Sequence, residues 1–149
     1  MIKSIRRLML ITLSLLILTT FIGCDNKESS KSTFGINQFT KQMKAKNYNF
    51  KLKDVQKDFL QATRKMMVID KETIFIYLYD NDKEAEADSK RVDPIGCSYT
   101  NGRHSVQVSW SLAPHFYRKG AIIVQYAGSS KKIISDLKDI MGEQFAGFK

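Results

Sequence analysis

The sequence predicts an α+β domain, with a mainly antiparallel sheet of about five strands, helices on one face, and the order α-β-β-β-α-β-β-α. Three observations predict it. Apolar residues recur at helical spacing in two segments, 34–46 and 130–141. Between them lie several short runs rich in β-branched and aromatic residues. Brief polar or Gly-containing turns separate these runs, and such turns join neighbouring strands antiparallel.

Each element has its own warrant. From Thr33 to Lys46, the residues Phe34, Ile36, Phe39 and Met43 share a helical face, with Ser32 or Thr33 placed to cap it. Tyr48, Phe50 and Leu52 alternate with Asn49, Lys51 and Lys53, the pattern of a half-buried strand. Phe59–Ile69 and Thr73–Tyr79 are two strands hinged at Asp70-Lys71-Glu72. The second is apolar on both alternating sets, so it is expected at the centre of the sheet with both faces covered. Residues 81–92 begin on Asn81 or Asp82 as a cap and carry acids early and bases late, which suits a short surface helix. Pro94 and Gly96 break the chain, and Asn101-Gly102 is a strong turn signal. Val106, Val108, Trp110 and Leu112 alternate with Gln107, Ser109 and Ser111, which predicts a strand with one buried face. Ala121–Ala127 predicts another. Gly128 ends it, and Ser129 or Ser130 caps a helix with Ile133, Ile134, Leu137, Ile140 and Met141 on its apolar face. Gly142 stops that helix.

The chain has 149 residues, 24 of them Lys or Arg and 15 Asp or Glu, a formal net charge of +9. With 43% hydrophobic residues and 26% charged, it is too apolar for disorder and too charged for a polytopic membrane protein. One domain is expected, over 34–149. Residues 1–23 read as an export signal: Lys3, Arg6 and Arg7 precede an apolar run from Leu8 to Ile22. That run is shorter than the ~20 residues a spanning helix needs. The run ends in Phe21-Ile22-Gly23-Cys24, which resembles the lipobox of bacterial lipoproteins, with Phe21 where that family has Leu or another aliphatic residue. The resemblance implies cleavage before Cys24, diacylation of its sulfur and a lipid-anchored protein at the outer face of the cytoplasmic membrane. Residues 24–33 then form a flexible tether without aliphatic or aromatic side chains. Removal of the signal leaves 21 basic and 15 acidic residues, an excess of +6. Expected partners are the membrane through Cys24, and anionic envelope polymers or an acidic protein. Nucleic acid is not expected, because the basic residues are scattered.

Few residues carry recognisable chemistry. Pro114–Gly120 reads as a polar turn between the last two strands, holding His115, Tyr117, Arg118 and Lys119, with Trp110 close enough in sequence to face the same side. One reading is an anion or partner site with Arg118 as a fork, Lys119 as a point charge and aromatic walls. The other is a solvated connection pinned to the core by Phe116 or Tyr117. His115 would be a catalyst only in company with Cys97 or His104, and no nucleophile motif surrounds Cys97. Cys97 is expected to be a small core residue. No metal site is predicted, since the two His lack ligand spacing, and the run Asp80, Asp82, Glu84, Glu86, Asp88 lacks a calcium-loop Gly and reads as a solvated helix start. No P-loop, dinucleotide or nucleophile-elbow motif occurs, so no cofactor is expected and an enzyme is the alternative rather than the leading reading.

The segments Pro114–Gly120 (PHFYRKG), Ile122–Gly128 (IIVQYAG) and Gly142–Gly147 (GEQFAG) are similar to those of a group of small exported proteins and lipoproteins of Gram-positive bacteria. That resemblance brings no biochemical role with it. It implies that Gly128 and Gly142 are turn residues and that Phe145 packs the C-terminus onto the sheet. The function expected is therefore a membrane-anchored, non-enzymatic binding or accessory module. The alternatives are a small extracytoplasmic enzyme using His115, or an immunity-like lipoprotein that sequesters a partner.

Overall fold

A computed structural model describes residues 34–148. The export signal, the tether and Cys24 lie outside the described residues. The elements are α1 (Ile36–Ala45), β1 (Lys51–Val55), β2 (Thr63–Ile69), β3 (Glu72–Leu78), α2 (Asp82–Ser89), β4 (Ser98–Asn101), β5 (His104–Gln107), β6 (Pro114–Lys119), β7 (Ile122–Ala127), α3 (Lys131–Met141) and β8 (Gln144–Gly147). Six strands form one antiparallel sheet in the order β1-β2-β3-β7-β6-β8, and β4 with β5 forms a separate two-stranded hairpin. The α+β class is as expected, with a larger sheet and an additional hairpin. No helix among the described residues is long and apolar enough to cross a membrane.

Both faces of the sheet are covered, which corrects the expectation that helices occupy one face. The reason lies in the central strands. Ile74 and Ile76 of β3, Tyr117 of β6 and Val124 of β7 point into a core shared with Phe39 and Met43 of α1 and Leu137 of α3. Tyr77, Phe116 and Ile123 alternate with them and point the other way, into a second core with Leu60, Val92 and Tyr99. A sheet that is apolar on both sides must be covered on both. The second cover consists of α2, the β4–β5 hairpin and the connecting loops. Gln125 of β7 is wholly buried and finds no hydrogen-bond partner for either amide atom among the described residues.

Three segments depart from the sequence reading. Pro114–Lys119 is not a turn but β6, an interior strand between β7 and β8, and the turn is Gly120-Ala121, flanked by the pair Lys119↔Ile122. Its two cations suggested a turn, yet they stand at the strand's end, where the chain leaves the core. Gln144–Gly147 adds an unexpected edge strand, whose Ala146 is buried. The expected half-buried strand at 106–112 is instead the short β5, exposed at all four positions, followed by an irregular stretch in which Leu112 is 54% exposed. β1 likewise begins later than its alternation suggested. Tyr48 and Phe50 precede it and pack on the first core, while Lys51 and Lys53 lie on an edge strand, where charge discourages further pairing.

Helix ends follow local chemistry. Asn81 caps α2 by accepting a hydrogen bond from the Glu84 backbone N–H (3.0 Å), and the Ser130 hydroxyl accepts from the Ile133 N–H (3.4 Å) at the start of α3. The cap of α1 is Gly35, not Ser32 or Thr33, and its N–H donates to the Gln38 side chain (3.1 Å). Gly142 ends α3 at φ 93°, a left-handed conformation that glycine adopts without steric cost.

Across the first core, α3 is clamped to the chain leaving α1. The Asp136 carboxylate accepts from the Tyr48 hydroxyl (2.7 Å) and Lys132 Nζ (2.7 Å), and pairs with Lys46 (3.0 Å). Lys132 stands in the first turn of α3, where the helix dipole disfavours a cation, and this pair and the Tyr48 ring 4.1 Å beneath it explain its place. Burial pushes the Asp136 carboxyl up, but hydrogen bonds from Lys132, Tyr48 and Lys46 outweigh it and hold the group down to about 2. A carboxyl whose pKa is lower folded than unfolded stabilises the fold above its unfolded value, about 3.9, and that contribution fades as pH falls toward 2. Asp136→Asn is therefore expected to cost about 1–2 kcal/mol at pH 7, after allowance for water at this rim. Urea denaturation at pH 7 and between pH 4 and 2 checks it, and the variant should show a shallower loss of stability across the acid range.

Candidate binding groove

The residues expected to converge at 110–119 do not converge. Successive positions of β6 face opposite sides of the sheet. His115, Tyr117 and Lys119 project toward the first core, and Phe116 and Arg118 toward the second. His115 is buried: its Nδ1 lies 2.8 Å from Gln144 Oε1, its Nε2 lies 3.2 Å from the Gly128 carbonyl oxygen, and its ring stacks on Tyr126. It joins β8 to the end of β7. Tyr117 is also buried, and burial pushes its phenol up. Lys119 Nζ donates to the Ile140 carbonyl (2.6 Å), near the C-terminal end of α3, where the helix dipole favours a cation. Arg118 lies near α2 and helps lower the Glu86 carboxyl, after the larger effect of Lys90. These side chains serve the packing of β6, and they form neither a common anion site nor a solvated turn.

The acidic run contains a second correction. Asp88 is not a solvated helix residue but is 2% exposed. Its carboxylate accepts from the hydroxyls of Tyr79 (2.7 Å) and Tyr99 (2.7 Å), the Gln61 backbone N–H (3.2 Å) and Arg91 (3.1 Å). Burial first, and then the hydrogen bond to Asp88 and its charge, push the Tyr79 phenol up, so it stays a neutral donor. Sequence reasoning missed this hub because Asp88 is one of five similar acids. The available signal was its place late in the helix, where an acid opposes the dipole.

The described residues enclose a groove of about 750 Å³ that the sequence did not predict. Loop residues Asp93, Ile95 and Cys97 and the first residue of β4, Ser98, contribute one side, Gln107–Ala113 the other, and Phe148 completes it. Trp110 is half-buried there, not beside His115. Its Nε1–H donates to the Gly96 carbonyl (2.7 Å), and its ring meets Phe116 edge-on, with centroids 6.0 Å apart. Gly96 makes this approach feasible: at φ 73°, an added Cβ would lie 2.9 Å from the Phe116 ring. Asp93 is already used, accepting from the backbone N–H groups of Ile95 (3.2 Å) and Ser98. Cys97 is partly exposed in the groove rather than buried in the core, with its Sγ 3.7 Å from the Ile95 carbonyl. By ladder register Cys97 lies across from Val108, four residues beyond His104, or about 13 Å along the strand. The thiol, His104 and buried His115 therefore form no catalytic group. No cluster of metal-ligating residues occurs among the described residues.

Phe145 packs on Phe116 with centroids 6.1 Å apart, and Gly128 lies so close to the Tyr126 ring that any side chain would collide with it. No protein-family model, curated protein or solved structure matches the chain.

Two outcomes follow from these placements. Asp88→Ala removes the buried acceptor shared by four donors, of which the Tyr99 hydroxyl is itself buried, and is expected to cost about 3 kcal/mol, read by urea denaturation, with Asp88→Asn losing less. His115→Ala is expected to cost about 2–3 kcal/mol by orphaning its two partners, whereas Arg118→Ala should cost under about 1 kcal/mol. Equal losses for the two variants would contradict the structural role given to His115.

Proposed function

We propose that this chain is an exported lipoprotein, anchored by acyl chains on Cys24 at the outer face of the cytoplasmic membrane, whose domain acts by binding rather than by catalysis. The observation that carries the reading is the N-terminal sequence: three cations, the apolar run Leu8–Ile22, and Gly23-Cys24 at its end. Two acyl chains, at about 0.8 kcal/mol per buried CH₂, hold a protein stably at a membrane surface. The folded part supports a binding role through the open groove at Trp110. The excess of +6 favours approach to anionic envelope polymers or an acidic partner, an attraction that fades beyond about 8 Å at physiological salt. An enzyme built on His115 finds no support, because that imidazole is buried and engaged on both nitrogens.

The partner-sequestering alternative draws on a specific observation. Ile95 (55% exposed), Leu112 (54%) and Phe148 (50%) are large exposed apolar side chains, and all three line the groove.

Metabolic labelling with a clickable fatty acid, in the natural chain and in Cys24→Ser, tests the anchor. Label on the natural chain and its loss in the variant are expected, together with a shift of the variant from membrane to unprocessed or secreted fractions. An unlabelled natural chain in the cytosol would overturn the proposal.

A further inference from the structure

We infer that the groove at Trp110 is a binding site for a neutral, polyhydroxylated ligand, that is, a segment of uncharged glycan chain. The inference rests on the reading of the domain as a binding module and names the chemistry its groove would take.

Charge is the first argument. The protein is strongly basic, yet among the described residues no Lys, Arg or His lines this groove. The one charged residue among those that line it, Asp93, spends its carboxylate on two backbone N–H groups. A charged ligand would lose hydration on entering and meet no countercharge, which costs several kcal/mol for a desolvated ion. A neutral one gives up only the hydration of its hydroxyls, which hydrogen bonds within the groove replace.

The polar groups are the second argument. Among the described residues, the side chains of Ser98, Gln107, Ser109 and Ser111 have no hydrogen-bond partner within the protein. The backbone of Ser109–Leu112 is equally unpaired, since the ladder ends at the Val108 N–H bond to Cys97 (2.8 Å) and contacts resume only at Ala113. Donors and acceptors thus border the groove from two kinds of source, all free to meet a ligand.

Trp110 supplies the third argument. Because its N–H is bound to Gly96, a ligand meets only ring carbon. An aromatic face offers apolar area together with partial negative charge, which attracts the weakly positive C–H groups of another molecule. A sugar ring has the matching form: a C–H face for the indole, and hydroxyls projecting sideways toward the serines, the glutamine and the open backbone. The lining divides about evenly between apolar and polar residues, a more polar surface than the usual drug-like pocket and one matched to a ligand rich in hydroxyls. An extended peptide would satisfy the free backbone but has no need of three serine hydroxyls around an aromatic ring.

The test uses a property of the composition. The chain holds one Trp, so its fluorescence reports on the groove alone. The full chain in mild detergent is titrated with neutral hexasaccharides of glucose, mannose, galactose and N-acetylglucosamine, and separately with the uncharged peptide acetyl-Val-Thr-Val-Thr-Val-amide. A saturable change with at least one saccharide is expected, weakened tenfold or more in Ser111→Arg. That exposed position makes no internal hydrogen bond, so the variant should keep the natural Tm. Response to the peptide alone, response to no saccharide, or equal saccharide binding by Ser111→Arg would each overturn the inference. The labelling experiment on Cys24 is unaffected by these outcomes. A response to the peptide would leave the groove as a binding face with a different ligand, so failure of the ligand class and failure of the binding-module reading are distinguishable.

Discussion

The second face of this protein depends on one buried carboxylate. Asp88 sits near the end of α2 and gathers donors from four places: the chain leaving β3 through Tyr79, β4 through Tyr99, the loop before β2 through Gln61, and the chain just past its own helix through Arg91. A carboxylate in such a place is tolerable only when its lone pairs are filled, and here they are. The arrangement fixes where α2 lies, and with it the hairpin and the loop at 93–98. Without it, the apolar side chains Tyr77, Phe116 and Ile123 would have a cover with no defined position.

That cover explains why the groove exists. The first core is closed by two helices whose apolar faces lie on the sheet. The second is closed by pieces of different kinds: a short helix, a two-stranded hairpin, and loops pinned by Gly96 and Trp110. Irregular segments leave backbone groups unpaired and cannot interlock like helical ridges, so a seam stays open between the 93–98 loop and residues 107–113. Trp110 has one side in the core and another at that seam, which joins the stability of the second face to whatever the groove binds.

Much of this fold was legible from patterning, because long amphipathic helices and two-sided strands follow from burial alone. The face of α3, the two-sided burial of β3, the caps Asn81 and Ser130 and the stop at Gly142 all agree with local rules. Residues 110–119 show the limit of such rules. His115, Arg118 and Lys119 look like surface chemistry in one dimension, yet pairing with β7 and β8 buries the first and sends the other two to opposite faces. Asp88 shows the converse, since among five similar acids only its place late in α2 hints that it is the one held in the interior.

The sequence by itself determined the α+β class, the helices and central strands, and the N-terminal signature from which an exported, acylated chain is proposed, because each depends on residues near one another in the chain. Only the tertiary structure decided that β6 lies inside the sheet, that β8 closes its edge, that Asp88 is a hub and that Trp110 borders a groove. These are contacts between segments distant in sequence, and local propensity carries no information about which of many apolar surfaces will meet.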